Sequence, residues 1–155
     1  MSALVEKDLE QSIAALFANI QGAKIITAWG SVPQGEVKDE LTPAAGVVIS
    51  IAAAPPQYDA FTVPSCSIAV AVVVEIRRET APDGAALAAA IEPIAAVLNG
   101  LQANVENVAA LSSESFDADG ARLDGGQPPT FVTTANVWRV VRSFTIRGVV
   151  KESVK

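Results

Sequence analysis

Three aspartates in a glycine-rich stretch come nearest, by residue type and spacing, to a metal site. Asp117, Asp119 and Asp124 lie in a segment that also holds three glycines within residues 117–126. Calcium binds several carboxylate and carbonyl oxygens on flexible backbone, and such a segment offers both. The spacing is not that of an EF-hand, however, and no glutamate closes the loop. We therefore favour the simpler interpretation that these residues make turns, and we expect neither a metal nor a cofactor.

Acid–base and nucleophilic chemistry have little support in the sequence. Glu75 and Arg77, two positions apart, are either an acid and its partner or, more commonly, a solvated or interface ion pair of small energy. Serine, threonine, lysine and Cys66 nucleophiles occur, but none lies in a nucleophile elbow or a phosphate-binding loop. Histidine, the usual general base, is absent from the sequence. We predict that the protein is not an enzyme.

The charged residues instead suggest contacts between proteins. The C-terminal segment is locally basic, with Arg139, Arg142, Arg147 and Lys151, in a chain of formal net charge -6. These side chains either pair with carboxylates on neighbouring strands or face an acidic loop of the next subunit. The residues that we single out for subunit or partner contacts are Arg77, Arg78, Asp117, Asp119, Asp124, Arg139, Arg142 and Arg147.

Composition limits the classes of partner and the number of domains. Eleven basic against 17 acidic residues argue against a dedicated binder of nucleic acid, because that affinity depends on neutralising phosphates. The longest uncharged windows, Leu41 to Tyr58 and Ala60 to Val74, contain proline and fall short of the ~20 apolar residues of a spanning helix. We expect no membrane association, no sequence-specific nucleic-acid binding, and a single domain over residues 1–155.

One long strand and the helix after it organise the rest of the chain. Apolar residues occupy every second position from Cys66 to Ile76, the pattern of a half-buried strand. Leu87, Ile91, Ile94, Leu98 and Leu101 then recur at helical spacing, so this helix must lie on the branched face of the strand. Pro93 predicts either a kink near residues 89–92 or a new helix, and Asn99-Gly100 predicts a stop. The opposite strand face, Ala69, Ala71 and Val73, is covered either by another subunit or by a loop of the same chain.

The remaining segments complete an α+β fold. Residues 3–20 predict an amphipathic helix, residues 24–29 and 46–52 two strands, and residues 137–150 a closing strand. Residues 112–135, dense in Asp, Gly and Pro, predict a long exposed loop. The predicted architecture is a mostly antiparallel sheet of about four to five strands with two main helices packed on one face.

This order of elements resembles the tail terminator, or tail completion, proteins of long-tailed bacteriophages and prophages. The resemblance rests on the helix Leu9 to Ile20, the Pro-led strand that starts at Pro43, the alternating strand Ser67 to Arg77, the helix Gly84 to Leu98, the Gly- and Asp-rich stretch and the strand Trp138 to Val149. It covers nearly the whole chain. Pro93 and the long segment 102–135 depart from the usual pattern.

The resemblance implies a structural protein that assembles with itself into a ring, six-fold in the family. Such a ring caps the tail tube, stops its growth and offers a surface to the head-neck connector, while DNA passes through its channel. It further implies that the chain is made in the cytoplasm of a bacterial host and ends in the virion, at the tail or neck. An acidic chain suits a channel wall that must not retain passing phosphates.

Two other functions fit the same pattern. One is another neck or tail component, such as a head-completion or tube-like protein. The other is a monomeric module that binds a small molecule or peptide in a pocket around Trp29, Tyr58 and Phe61. Binding to tube ends would favour the terminator, and saturable stabilisation of a monomer by a ligand would favour the module.

Overall fold

The computed structural model describes residues 5–20, 22–28, 46–58, 65–103 and 108–151. These segments form two helices and six strands. In chain order they are α1 (Val5–Leu16), β1 (Ala23–Thr27), β2 (Val47–Ala53), β3 (Gln57–Tyr58), β4 (Ser65–Arg77), α2 (Gly84–Ala103), β5 (Phe116–Val132) and β6 (Val137–Val150).

All six strands belong to one sheet, ordered β1-β2-β4-β6-β5, with β3 beside β4. Every pairing is antiparallel except that of β1 with β2, which is parallel. A parallel pair needs a long connection, and residues 28–46 supply one. The predicted α+β class and mostly antiparallel sheet are confirmed, although the short strand β3 makes the sheet one strand larger than expected.

Strand β4 lies at the centre of the sheet, as its alternation predicts. It pairs with β6 along its whole length, from Ser65 opposite Val149 to Arg77 opposite Val137, without a register shift. Its side chains from Cys66 to Ile76 at every second position are at most 2% exposed and form one apolar core with both helices. We call the sheet surface that these residues share the helix face, and the opposite surface the open face.

Helix α2 covers the helix face with the residues that the spacing predicts. Leu87, Ile94, Leu98 and Leu101 are buried, and Ile91 packs partly buried against the same core. The helix runs through Pro93 without a second helix starting there, and it passes the predicted stop at Asn99-Gly100 to end at Ala103. By length and composition alone residues 84–101 could cross a membrane, a criterion that core helices of soluble proteins also meet.

The long exposed loop predicted over residues 112–135 is instead mainly a strand. Strand β5 is a 17-residue edge strand, mostly exposed and paired with β6. Its register shifts three times, between Ala118 and Gly120, between Leu123 and Gly125, and between Gln127 and Thr130. Bulges of this kind accommodate Gly, Asp and Pro, and an edge strand tolerates prolines that cannot donate a hydrogen bond. The turn-forming residues therefore interrupt a strand and do not replace it.

A buried carboxylate joins α1 to the end of β2. The Glu10 side chain is fully buried, and its Oε2 accepts a hydrogen bond from the backbone N–H of Ala53 at 2.8 Å. The backbone N–H of Ala28, the residue after β1, donates to the Ile51 carbonyl at 3.1 Å. Glu10 thus supplies the acceptor that Ala53 needs where β1 has already ended.

Candidate interaction surface

The open face of the sheet is the surface on which most of the predicted contact residues lie. Alternation along the paired strands fixes its composition, because directly opposite residues share a face. From β4 and β6 it contains Ser67, Ala69, Ala71, Val73, Glu75, Arg77, Val137, Arg139, Val141, Ser143, Thr145 and Arg147. Both helices contribute their buried apolar side chains to the opposite face.

The centre of the open face is made of small side chains. Ala69 is exposed, while Ala71 and Ser143 are half-buried around a shallow depression. Side chains this short allow another protein element to approach the sheet backbone closely. The predicted small-residue face therefore exists as a surface without large side chains, and what covers it stays a prediction.

An ion pair crosses the sheet at one end of this face. Glu75 and Arg139 are directly opposite each other, and Glu75 Oε2 accepts from Arg139 Nε at 2.8 Å and from Nη2 at 2.6 Å. The sequence suggested Arg77 as the partner of Glu75, but Arg77 contacts Glu79 at 3.7 Å. Residues two apart on a strand point the same way without touching, whereas cross-strand neighbours meet. The alternative in which Arg139 pairs with a carboxylate on a neighbouring strand is the one observed.

A second polar cluster lies at the β5 edge. Asp124 Oδ2 accepts a hydrogen bond from the Thr145 hydroxyl at 2.5 Å, and Oδ1 accepts one from Arg122 Nε at 2.8 Å. These two bonds, the threonine bond first, hold the pKa of Asp124 below its ordinary value of 3.8. The carboxylate is therefore stabilised in its charged form in the folded protein.

We expect the lowered pKa to make stability depend on pH. The contribution of the Asp124 carboxylate to folding stability is fully present above the pKa that the residue has in the unfolded chain. It is lost as the pH falls through the lower pKa of the folded protein. Asp124→Asn should therefore lower the urea midpoint at pH 7, and the deficit should shrink as the pH falls below about 4. Urea titrations from pH 7 to pH 2 measure this deficit in the midpoint. Thr145→Val, which removes the hydroxyl bonded to Asp124, is expected to weaken the pH dependence. A deficit that is equal at every pH would contradict this assignment.

The three aspartates considered for calcium do not meet. Asp117 pairs with Lys151 at 3.3 Å, Asp119 lies at a bulge, and Asp124 bonds Thr145. A strand rises ~3.3 Å per residue, which places the first and last of them roughly 20 Å apart. Within the segments that the structure describes, no cluster of three His, Cys, Asp or Glu side chains could hold a metal ion.

The remaining contact candidates fall in different places. Arg147 lies on the open face, where its Nη1 donates to the Ser67 hydroxyl at 3.2 Å. Arg142 lies on the helix face opposite Val72, and its Nη1 donates to the carbonyls of Gln127 at 3.1 Å and Val141 at 3.0 Å. Arg142 therefore binds the edge strand β5 through the Gln127 carbonyl and does not form a continuous basic row with Arg139 and Arg147.

The sequence missed an aromatic cluster at one end of the sheet. The rings of Phe131 and Trp138 meet edge to face at 5.1 Å, and the Arg78 guanidinium lies 5.8 Å from the Phe131 centroid. Trp138 Nε1 also donates to the Ala81 carbonyl at 3.0 Å. Because Phe131 was assigned to a loop, its contact with Trp138 had no sequence signal. In the predicted aromatic pocket, Tyr58 is 55% exposed, and Trp29 and Phe61 lie outside the described residues.

The fold defines an α+β protein with one sheet, helices on one face and a polar, small-residue surface on the other. No family model matches the chain, and no curated protein matches it. Among solved structures, a chain of "Virion of native gene transfer agent (GTA) particle" is similar over 93% of each chain, with a TM-score of 0.52 and 19% identity. A second solved chain, whose name states no activity, is similar over 98% of this chain and 96% of its own, with a TM-score of 0.54 and 18% identity. At these identities the similarity establishes a shared fold.

Proposed function

We propose that the chain is a structural component of a phage-like particle and acts as a tail terminator. Copies form a ring, six-fold in the proposal, that caps the tail tube, stops its growth and presents a surface for the head-neck connector. The observation that carries the proposal is the fold shared, over 93% of both chains, with a chain of a gene transfer agent virion. The order of elements in the sequence supports the same assignment independently.

The site geometry supports a structural role over a catalytic one. The polar groups of the open face are engaged with one another, Glu75 with Arg139 and Asp124 with Thr145. Such pairs make a defined, rigid surface for another protein, whereas a reaction needs a nucleophile, a base and a stabilising group converging on a substrate. We therefore propose a non-enzymatic protein, made in a bacterial cytoplasm and incorporated in the virion.

The first test is the mass of the purified chain and its binding to tail tubes. Light scattering on a sizing column, over a range of protein and salt concentrations, is expected to detect a ring, or a monomer that forms rings when tail tubes are added. Electron microscopy should then find the protein at tube ends and not on head portals. A strict monomer that ignores tubes would overturn the proposal, and binding to portals alone would assign the chain to another neck component.

A further inference from the structure

We propose that copies of this chain associate front to back, with the open face of one sheet against the helix layer of the next. This inference rests on the ring proposed above and names the two surfaces that form it. The helix layer is defined here as α1, α2 and the residues beside them that lie on the helix side of the sheet.

Charge is divided between the two sides of the sheet. Among the described residues, the helix layer carries two basic side chains, Lys7 and Arg142, and six acidic ones, Glu6, Asp8, Glu10, Asp83, Glu92 and Glu114. The open face carries six basic side chains, Lys24, Arg77, Arg122, Arg139, Arg147 and Lys151, and three acidic ones, Glu75, Asp117 and Asp124. Opposite potentials on opposite sides of one subunit favour contact between unlike sides of two copies.

Ion pairs engage charges of the open face, including Arg77, which contacts Glu79 at 3.7 Å. The three acidic side chains of the open face are each held by a basic one, Glu75 by Arg139, Asp124 by Arg122 and Asp117 by Lys151. On the helix layer, Glu92 and Glu114 are exposed, and no ion pair within the described residues engages either of them. These two carboxylates are therefore available to a basic surface of another copy.

The two surfaces also match in shape. The floor of the open face is built from alanine and serine, including Ala69, Ala71 and Ser143. The outward side of α2 is similarly smooth, with exposed alanines at positions 85, 88, 89 and 96. A helix surface of methyl groups can lie close to a sheet surface of small side chains, which increases the contact area for a given charge pairing.

The edge strand β5 is poorly suited to be the contact instead. Three register shifts interrupt it, Pro128 and Pro129 lack N–H donors, and Arg142 already occupies the Gln127 carbonyl. Natural proteins use such features to prevent the addition of strands at an edge. A front-to-back contact joins two different patches, so repeating it either closes a ring or continues as a filament.

Charge reversal on each side tests the proposal. The sheet variant, Lys24→Glu with Arg147→Glu, makes both sides acidic, and the helix variant, Glu92→Lys with Glu114→Lys, places two basic side chains on the helix layer where the wild type has exposed carboxylates. Each variant alone should self-associate roughly tenfold or more weakly than the wild type in light scattering at low salt. An equimolar mixture should regain association, because every contact can then join unlike charges. Lys7→Glu, which exchanges one lysine for glutamate on the helix layer, should assemble at least as well as the wild type.

The other outcomes separate this inference from the proposed function. A wild type that never assembles, even on tube ends, overturns the function and the inference together. A wild type that assembles while both variants do so equally well overturns the inference alone. Loss of assembly in the sheet variant alone also overturns the inference, because it would indicate contact between two open faces. A mixture of the two variants that stays dissociated overturns it as well. Loss of binding to a short DNA duplex in the sheet variant, with assembly intact, would assign the open face to nucleic acid. Unchanged thermal melting confirms that the variants are folded.

Discussion

Replacing Gly148 with alanine is expected to lower the free energy of unfolding by about 3 kcal/mol. Gly148 lies on the helix face, between Cys66 of β4 and Ala118 of β5. A Cβ there would overlap the Asp117 carbonyl oxygen and lie 2.5 Å from Cζ of Phe116. Neither neighbour can yield easily, because the carbonyl belongs to the strand backbone and the Phe116 ring is 1% exposed within the core.

Urea unfolding followed by circular dichroism measures this effect, with Gly120→Ala as the matched control. A Cβ at Gly120 would meet no atom within 4 Å. That substitution should leave stability unchanged or raise it by up to about 1 kcal/mol, since alanine reduces the entropy of the unfolded chain. Equal effects of the two substitutions would show that the close contact at Gly148 is not limiting.

Replacing Glu10 with alanine should lower the free energy of unfolding by about 2 to 4 kcal/mol. The substitution leaves the half-buried Ala53 N–H, to which Glu10 Oε2 is bonded at 2.8 Å, without this acceptor. An unsatisfied buried donor costs about 1–3 kcal/mol, and the missing methylene groups add a cavity. The free energy of unfolding from urea titrations at pH 7 gives the magnitude.

Two comparisons identify the carboxylate as the cause. Glu10→Gln keeps an oxygen acceptor for Ala53 and should recover part of the loss. Gln11→Ala shortens the exposed neighbour on the same helix and should change stability by no more than about 0.5 kcal/mol. If Gln11→Ala is as harmful as Glu10→Ala, the effect belongs to the helix and not to the bond with β2.

The elements with regular periodicity were predictable from the sequence. Strand β4, helix α2 and strand β6 each repeat apolar residues at one period, and the structure has all three within a few residues of the predicted bounds. Their order then limits the architecture to a sheet with helices on one side. The parallel pairing of β1 and β2 was not predictable in this way, because strand direction depends on a connection that carries no periodic signal.

Strand β5 escaped prediction for a physical reason. Each register shift advances the strand by one residue or more, so the alternation of side chains restarts at Gly120, Gly125 and Thr130. A period of two cannot be recognised across such shifts, and the residues that permit them are those that usually mark turns. For the same reason the contacts of Arg122 and Phe131 were not predicted, because both contacts depend on these residues being in a strand.

The contact residues were only partly predictable, because partners depend on register. The sequence identified Glu75, Arg139 and Asp124 as charged residues of interest. It could not indicate that Arg139 lies directly across from Glu75, or that Thr145 reaches Asp124. One shift of register exchanges the two faces of a strand, so these contacts become knowable only when the whole sheet is assembled.

The uninterrupted pairing of β4 with β6 has a consequence for synthesis of the chain. Strand β2 can pair with β4 as soon as both have been made, but the other edge of β4 must wait for residues 137–150. At about 5–20 residues per second, a ribosome needs several seconds to make α2, β5 and β6. During that interval the nascent chain presents a 13-residue, largely apolar strand edge without bulges. In the newly made protein it is thus β4, and not the interrupted β5, that offers the edge most open to pairing with another chain.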